Sequence, residues 1–187
     1  LRYLQHCQAE MRKRQHIELA NHLLTLGDRF YVEDMAWPSL TRRAKETAIS
    51  EKTGKIKRKK RFGKSIANKA PAALIGILEQ KCYSLGLPGV VKVPTSLKAS
   101  QYNHQSGEYT PKPLSRRWNN MPDGERIQRD LYSAFLLQHY DPQTGNFDPV
   151  LLQQDYPQFV QYHHCAIQRL SAMPRTLSSM GIQRSLR

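Results

Sequence analysis

The sequence lacks a cysteine framework, a long apolar run and a full complement of carboxylates. Three cysteines, Cys7, Cys82 and Cys165, are odd in number and widely spaced. This excludes a small disulfide-built scaffold and leaves reduced thiols. No apolar stretch is long enough to span a bilayer, and there is no charged, apolar, small-residue order of a signal peptide. The expectation is an intracellular, cytoplasmic protein with no membrane partner. Acidic residues number 15 against 29 Lys and Arg, for a formal net charge of +14, so the first partner to expect is a polyanion, nucleic acid before others. A chain of 187 residues supports one domain with a core and an appendage. The boundaries read as a domain over 1–140, a helical extension over 141–170 and a basic, Ser-rich tail over 171–187 that is disordered when unbound.

Residues 1–27 read as a helix with an irregular apolar stripe of Leu4, Cys7, Met11, Ala20, Leu23 and Leu24, ended by Gly27. Its cluster Arg12-Lys13-Arg14 is either a track for a phosphate backbone or a solvated face. A strand follows over 29–35, with Phe30 and Val32 on one face and Tyr31 and Glu33 on the other, so that Glu33 and Asp34 cannot share a site. Trp37-Pro38 stops it. Residues 39–62 read as a mobile basic loop ending in Lys55, Lys57, Arg58, Lys59, Lys60 and Arg61. That run is a phosphate clamp or a solvated charge run. Pro71 suits the first position of a helix over 71–85 that buries Leu74, Ile75, Leu78 and Cys82, and 89–93 reads as a short buried strand.

After Asp123-Gly124 a helix is expected with Ile127, Leu131, Ala134, Phe135 and Gln138 as its stripe and Asp130 on the flank. Asp141 and Asp148 fall in a solvated loop. The segment beyond reads as a helical pair broken at Pro157, whose aromatics pack on the core or, less commonly, stack on bases. His163-His164-Cys165 is no metal site on this reading, because neighbouring helical residues point in different directions. The order helix, strand, helix, strand, loop, helix suggests an α/β layer with parallel strands.

Two carboxylates stand in distinct settings: Glu33 at the end of a strand and Asp130 at the start of an apolar helix. The segments around them line up with a known pattern. "FYVEDM" at 30–35, "RFGKSIANKAPAALIGILEQKCYSLG" at 61–86, "SQYNHQSG" at 100–107 and "WNNMPDGERIQRDLYSAFLL" at 118–137 resemble, in order and spacing, the C-terminal RuvC-like nuclease part of the OrfB/TnpB transposon-associated proteins and the related type V CRISPR effectors. Trp118, Gly124, Arg129, Asp130 and Ala134 fall in register, and the resemblance covers roughly residues 10–140. It implies a partial RNase H-like α/β fold with an inserted ribbon-like loop and a helical C-terminal extension. It also implies Glu33 and Asp130 as catalytic carboxylates for Mg²⁺ or Mn²⁺, and a guide RNA and target DNA as partners, contacted through the basic loop and Arg129. The location it implies is nucleoid-associated.

Two departures bear on metals. Where the family carries four zinc cysteines, this chain has Asn103, Ser106, Asn120 and Asp123. These cannot replace thiolate or imidazole ligands, so a zinc-free loop over 100–123 is expected, packed around Tyr102, Tyr109 and Trp118. RuvC-like sites also take a first Asp from an N-terminal strand, and no Asp precedes Asp28. The sequence begins at Leu1, without an initiator Met. An N-terminal remainder of the same protein is expected to supply that Asp, or the site is incomplete. The functions left open are a metal-dependent DNA endonuclease guided by RNA, a guided binding protein without cutting, and a basic nucleoprotein scaffold.

Overall fold

The computed structural model describes residues 2–41, 46–51, 53–56, 66, 68–113, 115–174 and 178–183. The protein is mixed α/β. Helix α1 (Arg2–Leu24) leads into strand β1 (Arg29–Glu33), and after it come a short helix α2 (Trp37–Thr41), helix α3 (Pro71–Ser84) and strand β2 (Gly89–Val93). Three hairpins follow: β3 (Tyr102–Asn103) with β4 (Glu108–Tyr109), β5 (Trp118–Asn120) with β6 (Arg126–Gln128), and β7 (Tyr140–Asp141) with β8 (Asn146–Phe147). Helix α4 (Arg129–Gln138) separates the last two hairpins, α5 (Pro149–Ser171) follows, and 3-10 turns lie at Thr95–Leu97 and Ser178–Met180. The strand expected to run to residue 35 ends at Glu33, and Trp37-Pro38 starts a short helix, Pro being at home in a first helical turn.

The described strands form four two-stranded sheets, β1 with β2 and the three antiparallel hairpins. A layered sheet with helices on its faces is therefore not what these strands build, and the RNase H-like architecture stays an implication of the resemblance. The chain divides into two compact units, residues 1–30 with 34–91, and residues 31–33 with 92–187.

In the first unit α1 and α3 pack through Ala20, Leu78 and Cys82, with Leu23, Leu24, Leu74 and Phe30 around them. Only the C-terminal half of the α1 stripe is used: Leu4 and Met11 remain exposed. Arg12 donates to the Asn68 carbonyl at 3.3 Å, and a ring nitrogen of His16 lies 3.0 Å from the Lys69 carbonyl, so α1 side chains meet backbone acceptors just ahead of α3.

The second unit has the larger core, built from Ala99, Met121, Ile127, Tyr132, Phe135, Leu136, Phe147, Leu152 and Tyr156. The buried residues of α4 are Arg129, Tyr132, Phe135 and Leu136, with His139 buried at its C-cap, while Ala134 and Gln138 are exposed and Ile127 belongs to strand β6. The expected stripe was thus phased wrongly by a strand residue counted as helix. Helix α5 is continuous through Pro157, which lies on its exposed face together with Gln153, where water can satisfy the carbonyl that the missing N–H leaves free. Its inner face places Phe159 4.4 Å from Phe135, nearly parallel, so Tyr156 and Phe159 pack on the core while Tyr162 is exposed. Asp141 and Asp148 are structural, not merely solvated: Asp141 accepts from the Gln143 and Thr144 N–H groups in the β7–β8 turn, and Asp148 caps α5 through Val150 and Leu151.

The tail is not wholly free of structure. Ile182 is 2% exposed, and the carbonyls of Met180 and Gly181 receive side-chain donors from β6 and β5.

Candidate functional site

Glu33 ends β1 and is half-buried. It belongs to the short segment 31–33 that associates with the second unit, the one that contains Asp130. Asp130 lies in the first turn of α4, where a carboxylate is favoured by the helix dipole, and its side chain is 46% exposed. Gln128 Nε2 donates to one carboxylate oxygen at 3.2 Å and Arg129 Nε to the other at 3.4 Å.

Gln128 organises this corner, and nothing in the sequence marks it. Fully buried, it accepts from the Leu131 N–H at 2.8 Å as the cap of α4 while its amide nitrogen reaches both Asp130 and the Met180 carbonyl. Its own N–H donates to His163 Nε2 at 3.0 Å. His163 therefore accepts at Nε2, and burial, reinforced by His164 and opposed by Glu125, pushes its pKa below the usual imidazole value. A capping Gln is uncommon, since Ser, Thr, Asp and Asn are the sequence signals for that position.

Arg129 differs from its expected role at a phosphate. Its side chain is 8% exposed, and the guanidinium donates to the Pro113 and Arg116 carbonyls as well as to Asp130. It fixes the irregular segment before β5. Of the basic loop, Lys55 is exposed beside the Ile49–Ile56 bridge, its carbonyl accepting from the Ser50 N–H. Lys57, Arg58, Lys59, Lys60 and Arg61 lie outside the described residues.

Three of the four ribbon positions close turns with their side chains. Asn103 accepts from the Gln105 N–H, Ser106 from Glu108 and Asp123 from Glu125, each two residues on, and Asn120 is the exposed end of β5. Gln105 Nε2 then bridges to Asp123 Oδ2 at 2.8 Å. Burial works against the Asp123 charge, but the Glu125 N–H and the Gln105 amide outweigh it and hold the carboxyl below its usual range. Beside this bridge the Tyr132 hydroxyl accepts the His104 N–H and makes a second hydrogen bond, at 2.7 Å, with His104 Nδ1, whose direction the imidazole tautomer sets. Burial raises the Tyr132 pKa and keeps the hydroxyl protonated. Of the three aromatics expected to hold this region, Tyr102 and Tyr109 do pack together at 4.9 Å, whereas Trp118 turns to the tail and α5.

The donors at Glu33 and Asp130 are hard carboxylate oxygens, the chemistry that Mg²⁺ or Mn²⁺ requires. Asp130 keeps unused acceptor directions on its exposed side. Among the described residues no three His, Cys, Asp or Glu side chains gather into a metal-holding group, and no helix is long and apolar enough to cross a membrane. No protein-family model, curated protein or solved structure matches the chain.

Proposed function

We propose that this chain is the C-terminal RuvC-like part of an RNA-guided DNA endonuclease and supplies two of its three metal-binding carboxylates, Glu33 and Asp130. The carrying observation is that segment 31–33 associates with the unit holding Asp130 and not with the unit on either side of it in sequence. The order of the four resembling segments and the +14 charge support the same reading. A bound Mg²⁺ would activate water and stabilise the leaving oxygen of a phosphodiester. The chain's own contribution is to hold Asp130 through Gln128 and Arg129, to end β1 in Glu33, and to attract the backbone with the basic residues of the 55–61 loop. A third carboxylate comes from the N-terminal remainder of the protein, and sequence specificity from pairing between guide RNA and target DNA.

One contact favours a second reading, guided binding without cutting: the Arg129 guanidinium already neutralises Asp130. Mg²⁺-dependent cleavage of single-stranded DNA, measured for the protein and for Glu33→Ala and Asp130→Asn, separates the two. Loss in both variants supports the endonuclease; cleavage that survives both removes these residues from the site. Co-purification with one defined RNA supports guidance, whereas a random RNA mixture favours the scaffold.

A further inference from the structure

Where the 178–183 segment lies on the β5–β6 hairpin there is a cavity of 450 Å³, lined among others by Arg117, Arg126, Trp118, Ser115 and Ser171. Its size is that of a small-ligand pocket. Two arginines line it and, among the described residues, no Asp or Glu does, so its wall is concave and cationic. The Trp118 ring is fixed on two sides: its Nε1–H donates to the Gly181 carbonyl at 2.9 Å, and His163 meets it edge-on at 6.2 Å. Arg126 lies over the ring face with its guanidinium carbon 4.9 Å from the centroid. Arg117 is held from behind, because its carbonyl accepts the Arg129 N–H at 2.9 Å. Gly181 completes the wall in a conformation closed to other residues: its φ is +70°, and a Cβ there would stand 2.7 Å from Arg117 Cβ.

We infer that this cavity is a second nucleic-acid contact, in which Arg117 and Arg126 hold a phosphodiester of a single strand and the adjoining base stacks on the Arg126–Trp118 pair. Paired guanidinium groups suit a phosphate geometrically, and an aromatic carrying a planar cation offers a face that any base can use. An acidic peptide would use the charges and leave the stacked ring without a role. The site is preformed, so little ordering opposes binding. The inference rests only on the nucleic-acid-binding part of the function proposed above, and not on cutting.

The test uses a Trp37→Phe background, which leaves Trp118 as the sole tryptophan, titrated with short oligo-dT and oligo-rU by tryptophan quenching and by anisotropy of a labelled strand. Arg117→Gln with Arg126→Gln is compared with a charge-matched pair, Lys69→Gln with Lys98→Gln. Gly181→Ala displaces Arg117 and Trp118 in the cavity wall without changing charge. Expected are quenching of Trp118, a loss of affinity of about tenfold or more for the arginine pair and for Gly181→Ala, and a much smaller loss for the lysine pair. The two oligonucleotides show whether the strand is DNA or RNA. If the parent binds but Trp118 is not quenched and the arginine pair behaves like the lysine pair, the strand lies elsewhere and the inference fails. If the parent binds neither oligonucleotide, the nucleic-acid reading itself fails and takes this site with it.

Discussion

Gln105 Nε2 and Asp123 Oδ2 stand 2.8 Å apart and tie the β3–β4 turn to the β5–β6 turn across eighteen residues of chain. The two turns that would share a zinc ion in the resembling family share a charge-assisted hydrogen bond here. Each turn is also closed by its own side chain, Asn103 in one and Asp123 in the other.

Removing either partner, by Gln105→Ala or Asp123→Ala, is expected to lower stability by about 1 kcal/mol in urea unfolding, and a double-mutant cycle is expected to show the two losses coupled. Excess chelator is expected to leave the unfolding midpoint unchanged. Asp123 has a lowered folded pKa, so its contribution is complete above its unfolded value near about pH 4 and is lost as pH falls through the folded one. Asp123→Asn should flatten the acid limb of the stability curve.

His163 carries proton linkage of the same sign in a base. Its folded pKa lies below the unfolded imidazole value of about 6.5 because burial disfavours the cation. Below that pH the unfolded chain binds a proton that the folded chain refuses, so stability declines as pH drops from about 6.5 toward the folded pKa. Replacement by Gln, whose carbonyl can still accept the Gln128 N–H, should reduce that decline in thermal melts between about pH 7 and 5. His104, also lowered by burial, contributes a slope of the same sign.

Arg129→Lys is expected to cost roughly 2 kcal/mol, since an ammonium cannot serve the Pro113 and Arg116 carbonyls and Asp130 at once. Asp130→Asn should cost well under 1 kcal/mol because its carboxylate is nearly half exposed. Equilibrium unfolding in denaturant measures both. A cleavage defect in Asp130→Asn at unchanged stability would then be chemical in origin.

Pro157→Ala restores an N–H opposite the Gln153 carbonyl inside α5 and is expected to stabilise the helix by about 1 to 3 kcal/mol. The check is an upward shift of the thermal midpoint with unchanged helical circular dichroism.

The legible parts of the fold were those with local signals. Helix α3 begins at Pro71 and buries Leu78 and Cys82, as its proline and 3.6-residue spacing indicate, and β2 occupies 89–93 as its valines suggest. The β7–β8 hairpin was missed although Asp141-Pro142 and Gly145 between flanking aromatics are turn chemistry. The α4 stripe was misphased because Ile127 is equally buried as a strand residue, and periodicity cannot distinguish the two when one joins the other without a loop. Of the candidate site, the positions of Glu33 and Asp130 were legible, but their surroundings were not: Gln128 and the inward turn of Arg129 depend on groups as far along the chain as His163 and Met180.

By itself the sequence determined the cationic balance, the lack of zinc ligands at the ribbon positions and the helices whose caps and apolar spacing are local, because these depend on composition or on neighbours within a few residues. Only the tertiary structure decided that Pro157 sits inside a continuous helix, that Arg129 serves backbone carbonyls, and that residues 180–182 dock on the β5–β6 hairpin to enclose a cavity with Trp118 and Arg117. Each of these rests on a contact between residues distant in the chain, where burial and hydrogen-bond satisfaction outweigh local propensity.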